Sequence, residues 1–129
     1  PNNVFYVCSP TPLQRALSVV LMSELHYYDD LQERFARKRR FASEALESVG
    51  FEVYDSGSAF YLWARIPPDY DDATQLNELL ISRGVAGVPG SAFADSEQHD
   101  QFMRFCIARE DDVLESALHK IKRTLSRAD

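Results

Sequence analysis

The strongest constraint on the fold is a change in the spacing of apolar residues at Gly50. Upstream, apolar residues recur at helical intervals from Leu31 to Val49, which predicts a helix over residues 28–49. Downstream, residues 51–54 and 59–66 are rich in aromatic and β-branched side chains, and turn residues separate them, so they are predicted as two strands. Gly50 itself suits the left-handed position that commonly follows a helix.

Capping residues predict three more helices. In the first helix, Thr11 is expected at the N-cap, with Pro12 in the first helical position and the apolar face continuing to Leu25. A later helix is expected to begin at Asp72 and to end before Gly84, and a final helix begins with Asp112 and Glu115. Extended segments are predicted at residues 4–7, 85–90 and 103–108.

The order of these elements indicates the fold class. Helices outnumber strands and the two kinds do not alternate strictly, so we expect an α+β fold in which helices cover a small sheet of about three to four strands. The 129 residues are enough for one hydrophobic core, and no repeat or linker divides them. The sequence therefore predicts a single domain over residues 1–129.

The overall charge argues against several classes of partner. Twenty acidic and fourteen basic residues give a net charge of −6, which disfavours nucleic-acid binding. No apolar run approaches the roughly 20 residues of a membrane span, and no signal peptide is evident. The expected location is cytoplasmic, with a mitochondrial one left open. The one basic cluster is interpreted as a solvated helix face and comprises Arg34, Arg37, Lys38, Arg39 and Arg40.

Metal and nucleophile chemistry find little support in the residue pattern. His26, His99 and His119 have no neighbouring ligands, so no metal site is predicted. Cys8 and Cys106 lie in apolar stretches and are expected to be small buried side chains in a reducing setting.

Arg104 is the residue that most suggests ligand binding. It lies within the apolar strand 103–108, where alternation places Phe105 and Ile107 on one face and Arg104, Cys106 and Ala108 on the other. An arginine in such a strand needs an anion partner, and its planar fork suits a carboxylate. Two interpretations stay open from the residues alone: a ligand's carboxylate, or an ion pair with an Asp or Glu of the protein.

Five segments in order resemble a known family. They are residues 9–14 (SPTPLQ), 38–51 with its Lys-Arg-Arg start and Gly-Phe end, 57–63 (GSAFYLW), 84–93 (GVAGVPGSAF) and 104–106 (RFC). Together they resemble the C-terminal small domain of class I/II aminotransferases, the fold-type I enzymes that use pyridoxal 5′-phosphate. The aspartate and kynurenine aminotransferase branches are the most similar.

The resemblance implies specific roles. The small domain of such an enzyme closes over a larger cofactor-binding domain, and the arginine of its Arg-Phe-Cys-like strand binds the α-carboxylate of the substrate; that position is Arg104. Phe60 is implied as a substrate-lining residue, with core packing between strands as the alternative. The implied partners are the protein's own large domain, a homodimer partner, and amino acid and 2-oxo acid substrates.

The chain departs from the family in what it lacks. The family's catalytic lysine, which bonds to pyridoxal phosphate, lies in a Ser-rich segment followed by Gly-Arg, and none of Lys38, Lys120 and Lys122 has those surroundings. We therefore expect no catalytic and no cofactor-binding residue in this chain, and an inactive isolated fragment. The alternative is a free-standing α+β regulatory or amino-acid-binding module, because fold alone does not decide function.

Overall fold

The structure is a computed structural model that describes residues 10–23, 25–54, 57–93 and 97–126. These residues form four α-helices and four β-strands, with two short 3₁₀ helices at Gly90–Ala92 and Glu97–Gln101. The helices are α1 (Thr11–Ser23), α2 (Leu25–Glu47), α3 (Ala73–Ser82) and α4 (Asp111–Leu125). The strands are β1 (Glu52–Tyr54), β2 (Tyr61–Arg65), β3 (Val88–Pro89) and β4 (Phe102–Cys106). The predicted α+β class is confirmed; the extended segment expected at residues 4–7 lies outside the described residues.

The chain divides into two compact units, Pro1–Arg34 and Phe35–Asp129. In the first unit, α1 has the predicted apolar spacing but no buried residue, and Leu13 and Met22 are 68% and 83% exposed. Among the described residues, no helix has the length and apolar character that crossing a bilayer requires.

The second unit contains the sheet. Its strands lie in the order β1-β2-β4-β3, and every neighbouring pair is antiparallel. In the central pair, Trp63 lies opposite Arg104, and Leu62 lies opposite Phe105. Because side chains of a strand alternate between faces, this register gives the sheet one apolar face and one mixed face.

The core fills the space between the apolar face and the helices. The strands contribute Leu62, Ala64, Met103 and Phe105, all less than a tenth exposed. Buried residues from all three helices of this unit pack against them: Ala42, Leu46, Ala73, Leu76, Leu80, Leu114, Leu118 and Ile121. The helices of this unit thus cover one face of the sheet, as predicted, and among its described residues no α-helix packs over the opposite, uncovered face.

Two of the predicted helix caps are wrong in position. The carbonyl of Pro10 accepts the amides of Leu13 and Gln14, so Pro10 rather than Thr11 caps α1, and Thr11 joins Pro12 in the first turn. Helix α4 begins at Asp111, one residue before the predicted cap Asp112, because two carboxylates there can occupy the first turn and favour its positive end.

The cap of α3 and the glycines after α2 and α3 are as predicted. The Asp72 carboxylate accepts the Thr74 amide at 2.6 Å. Gly50 and Gly84 have φ of +92° and +79°, the left-handed conformation in which glycine carries no steric penalty.

Gly90 fixes the path of the chain between β3 and β4. A Cβ atom built on it would lie 2.2 Å from the carbonyl oxygen of His99 and 3.2 Å from that of Phe102. Both obstructing atoms belong to the backbone, so no side-chain rotation could make room. The first 3₁₀ helix can therefore approach the start of β4 only because residue 90 has no side chain.

We predict that Gly90→Ala lowers the free energy of unfolding by about 1–3 kcal/mol, the usual cost of overpacking. Urea unfolding of the chain followed by circular dichroism measures it. Ser91→Ala, at the exposed neighbouring position, is the matched control and should change stability by less than about 0.5 kcal/mol. Equal stability of the two variants would contradict the close approach at Gly90.

Candidate functional site

The candidate site lies on the uncovered face of the sheet, where β4 presents Arg104. Met103 and Phe105 are buried on the core side, whereas Arg104 is half-buried and Cys106 is exposed. The predicted alternation of β4 is thus confirmed. Cys106 was expected to be buried because its sequence neighbours are apolar. The alternation of the strand instead buries those neighbours and leaves Cys106 exposed. Cys8 lies outside the described residues.

Two aromatic rings hold the guanidinium group of Arg104. Its central carbon lies 4.1 Å from the ring centroid of Tyr61 and 4.5 Å from that of Phe93. Tyr61 comes from β2, diagonally across from Arg104, whereas Phe93 follows the 3₁₀ helix Gly90–Ala92. Contacts of this kind are attractive because the ring faces carry partial negative charge.

No carboxylate of the described residues lies within ion-pair distance of Arg104. Among these residues, the ion pair that the sequence left open as an alternative is therefore not formed. Both contacts are made through the faces of the rings, so the N–H donors of the guanidinium keep their capacity for a carboxylate from elsewhere.

More aromatic side chains surround this position. The Trp63 ring stacks on Phe102 at a centroid distance of 5.5 Å and an angle of 12°, and Phe93 meets Trp63 edge-on at 5.9 Å. Offset and edge-to-face pairs of this kind add to the stability of the surface they form. Arg104 is thus a cation on an apolar, aromatic surface, where an anion's attraction is less weakened by water than on an open polar surface.

Phe60 lies beside the aromatic cluster, which is formed by Tyr61, Trp63, Phe93 and Phe102. The residue is 44% exposed and its ring centroid lies 4.5 Å from that of Tyr61, so the alternative of core packing between strands is wrong. The Phe60 carbonyl accepts the amide of Ile107, which fixes the segment before β2 to the end of β4. Tyr61 therefore contacts both sequence-predicted site residues, Phe60 and Arg104.

The basic cluster on α2 is only in part the solvated face that the sequence predicts. Arg34, Arg37 and Arg40 are exposed, but Lys38 and Arg39 are half-buried. Lys38 donates to the carbonyl of Arg109 and pairs with Asp111 at 2.6 Å. The charge count of a segment does not reveal which of its long side chains reach backbone carbonyls, and for this reason the prediction failed at these two residues.

Arg39 anchors the turn that leads into β2. Its Nη1 and Nη2 donate to the carbonyls of Ala59 and Gly57 at 3.3 Å and 3.0 Å. Ala59 has a φ of +65°, which is costly for a residue with a Cβ atom. The arginine thus holds an unfavourable backbone conformation immediately before Phe60.

Away from this face, the described residues enclose a cavity of about 270 Å³ between α2, α4 and the loop before β3. Its lining includes Leu46, Val85, Phe105, Leu114 and Ile121. Most of the described lining residues are apolar and belong to the core, and Arg109 is the one charged side chain among them, so the cavity lacks the several convergent polar groups that mark a ligand site.

The described residues do not fit a metal or a covalently bound cofactor. They contain no group of three or more His, Cys, Asp and Glu side chains that could hold a metal ion. The Lys38 amine is engaged by Asp111 and Arg109, and Lys120 and Lys122 lie exposed on α4. Lys38 is thus tied to a carboxylate and the other two amines face solvent, so none of the three is placed like a lysine poised to bond to a cofactor.

At the far end of the same face, the Tyr54 hydroxyl donates to Glu52 Oε1 at 2.7 Å. This hydrogen bond, reinforced by partial desolvation and by the Glu52 charge, raises the pKa of Tyr54 above its usual value. Glu52 pairs in register with Arg65. The Glu52 carboxylate thus has a hydrogen-bond partner at this end of the face, whereas Arg104 has no ion-pair partner among the described residues.

Sequence reasoning did not identify Tyr61 and Phe93 as site residues. Tyr61 shares a strand and a face with Trp63, so alternation alone indicates an outward ring. Its contact with Arg104 depends on the register of β2 against β4, which no local pattern gives. Phe93 lies in the segment 84–93 that carried the family resemblance, but its position depends on the close approach at Gly90.

Comparisons with known proteins show which family this sequence matches. The sequence model of the family described as "Aminotransferase class I and II" matches residues 2–121. The LL-diaminopimelate aminotransferase of Natranaerobius thermophilus is 32% identical over 111 residues, which cover 86% of this chain and 28% of that protein.

Solved structures show the same fold. N-succinyldiaminopimelate aminotransferase from Mycobacterium tuberculosis superposes with a TM-score of 0.83 at 28% identity, covering 94% of this chain and 32% of that one. The aromatic aminotransferase of Pyrococcus horikoshii gives 0.77 at 25% identity, over 88% and 31% of the two chains. The chain thus spans less than a third of the length of these relatives.

We predict that Arg39→Ala destabilises the chain by about 1.5–3 kcal/mol, because it removes hydrogen bonds from a charged donor to two carbonyls. The free energy of unfolding in urea measures the effect. Arg40→Ala deletes the same charge from the exposed next position and should cost less than about 0.5 kcal/mol. If both variants lose equal stability, general charge rather than the turn contacts is responsible.

Proposed function

Because the chain belongs to the class I and II aminotransferases, we propose that it is the substrate-carboxylate-binding, closing domain of an enzyme that transfers an amino group from an amino acid to a 2-oxo acid. The observation that carries the proposal is the guanidinium of Arg104, which lies on the uncovered face of the sheet without an ion-pair partner among the described residues. An amino acid and a 2-oxo acid both carry a carboxylate that this group can bind. Two of the similar proteins are named for diaminopimelate substrates, which supports an amino acid as the substrate class.

Arg104 orients the substrate. Its planar fork binds a carboxylate through two parallel hydrogen bonds, which fixes the direction as well as the position of the bound group. It projects from the central strand pair, and a site on a strand is held more precisely than one on a loop.

Phe60 lines the substrate site, and closure of the domain excludes water. Phe60 is exposed, and its ring lies beside that of Tyr61, which in turn contacts the guanidinium of Arg104. Closing an aromatic surface over a bound substrate removes water from it, which strengthens the interaction of the carboxylate with Arg104.

The cofactor and the remaining partners belong to the rest of the enzyme. Pyridoxal 5′-phosphate, which the family implies, supplies the chemistry of amino transfer; the residues that bind it lie outside this chain. The expected partners are the protein's own large domain and a second subunit. A cytoplasmic location stays a prediction from the sequence.

We predict that Arg104→Ala in the complete enzyme raises KM for the amino acid at least about thirtyfold. Truncating one side of a hydrogen-bonded charge pair costs about 2–5 kcal/mol, and each 1.4 kcal/mol corresponds to a factor of ten. Arg104→Lys should give an intermediate KM, since lysine keeps the charge but loses the fork. Steady-state kinetics with the amino acid varied measures all three forms.

Arg65→Ala is the matched control for this experiment. Arg65 lies on the same face, at the exposed end of β2, so it removes the same charge from a position that the proposal does not use. Its KM should stay within about twofold of the wild type. An unchanged KM in Arg104→Ala would overturn the proposed role of Arg104.

The isolated chain is predicted to be inactive. Mixed with pyridoxal phosphate, an amino acid and a 2-oxo acid, it should produce no more new amino acid than the mixture without protein. The physical reason is that Lys38 is engaged in an ion pair and that Lys120 and Lys122 lie on a solvated helix face. Turnover by the purified chain, abolished by a lysine substitution, would contradict the assignment of the chemistry to the rest of the enzyme.

A further inference from the structure

We infer that Tyr61 and Phe93 are positioning residues that hold the guanidinium of Arg104 ready for a carboxylate. The inference rests on the proposed function of Arg104 and adds two residues whose roles are not part of it. Arginine side chains have many rotamers, and restricting them when the substrate binds costs conformational entropy. A side chain that is already restricted in the free enzyme avoids much of this cost. Two rings within 4.5 Å of the guanidinium carbon limit those rotamers before the substrate arrives.

The contacts restrain the guanidinium without using its donors. A cation over an aromatic ring is attracted through the ring face, and an aromatic ring offers no carboxylate or carbonyl oxygen. An Asp or Glu in the same place would occupy the N–H groups and compete with the substrate. Aromatic neighbours therefore suit an arginine that must bind a carboxylate repeatedly and release it.

The two rings are themselves held by different parts of the fold. Tyr61 belongs to β2 and packs against Phe60 at 4.5 Å. Phe93 packs edge-on against Trp63, and its amide donates to the Gly90 carbonyl at 2.9 Å. Each ring thus has contacts besides Arg104 that restrain it, which allows the pair to position the arginine.

The experiment compares ring-deleting with ring-keeping variants in the complete enzyme. Tyr61→Leu and Phe93→Leu remove a ring but keep an apolar side chain, whereas Tyr61→Phe and Phe93→Tyr keep the ring. For each variant, kcat and KM for the amino acid are measured, together with competitive inhibition by a carboxylic acid matched to the substrate and by its neutral primary amide. The affinity of the acid relative to the amide reports on what holds the carboxylate charge, and the Arg104→Ala variant shows how much of it Arg104 contributes.

Each leucine variant is expected to lower the acid-over-amide preference by about 2- to 30-fold, the range that one cation–π contact is worth. KM should rise by a similar factor while kcat changes less than twofold, because the chemistry lies elsewhere. The ring-keeping variants should retain wild-type preference. That rescue would not occur if only the tyrosine hydroxyl or the exact size of residue 93 mattered.

Other outcomes separate this inference from the function on which it rests. If Arg104→Ala abolishes the acid-over-amide preference but the leucine variants keep it, positioning by the rings is overturned and the proposed function stands. If the leucine variants weaken acid and amide binding equally, the rings have a general structural role, and the inference fails. If Arg104→Ala retains the preference, the proposed function fails and the inference fails with it.

Discussion

The antiparallel pairing of β2 with β4 is the interaction on which the rest of the second unit depends. Its register places Leu62 opposite Phe105 on the core side and Trp63 opposite Arg104 on the other. Because side chains alternate with a period of two, a slip of one residue would move a charged side chain into the core and expose its apolar neighbours. The same backbone hydrogen bonds therefore define both the core and the arginine's position outside it.

Helix α2 connects this strand pair to the loops at its end. Two consecutive residues, Lys38 and Arg39, reach in different directions: one to Arg109 and Asp111 beyond β4, the other to the carbonyls of Gly57 and Ala59 before β2. Both loops border the strands that carry the aromatic cluster. Lys38 and Arg39, which the sequence predicts as part of a solvated helix face, thus fix the chain before the start of β2 and after the end of β4.

Period and composition predicted the fold class, the helix order and the outward direction of Arg104, because these follow from local alternation and spacing. These patterns failed where residues that are distant in sequence determine the surroundings of a side chain. Tyr61 and Phe93 meet Arg104 only through strand register and a glycine that admits no Cβ atom. Cys106 is a different case: its apolar sequence neighbours suggested burial, yet the local alternation of β4 already places it on the face of Arg104, where it is exposed. At α4, three consecutive acids at residues 110–112 are all suitable near a helix start, and the predicted cap Asp112 was wrong.

The strand β3, which lies beside β4 at one edge of the sheet, has a further consequence. β3 has only two residues, Val88 and Pro89, and its proline has no amide hydrogen to offer a neighbouring strand. An edge this short gives another polypeptide almost no ladder to extend, which is how natural sheets resist joining edge to edge into aggregates. β1, at the opposite edge, has three residues. Among the described residues, both edge strands are therefore too short to pair extensively with a strand of another chain. New contacts with other chains are expected to form through side chains rather than through backbone hydrogen bonds.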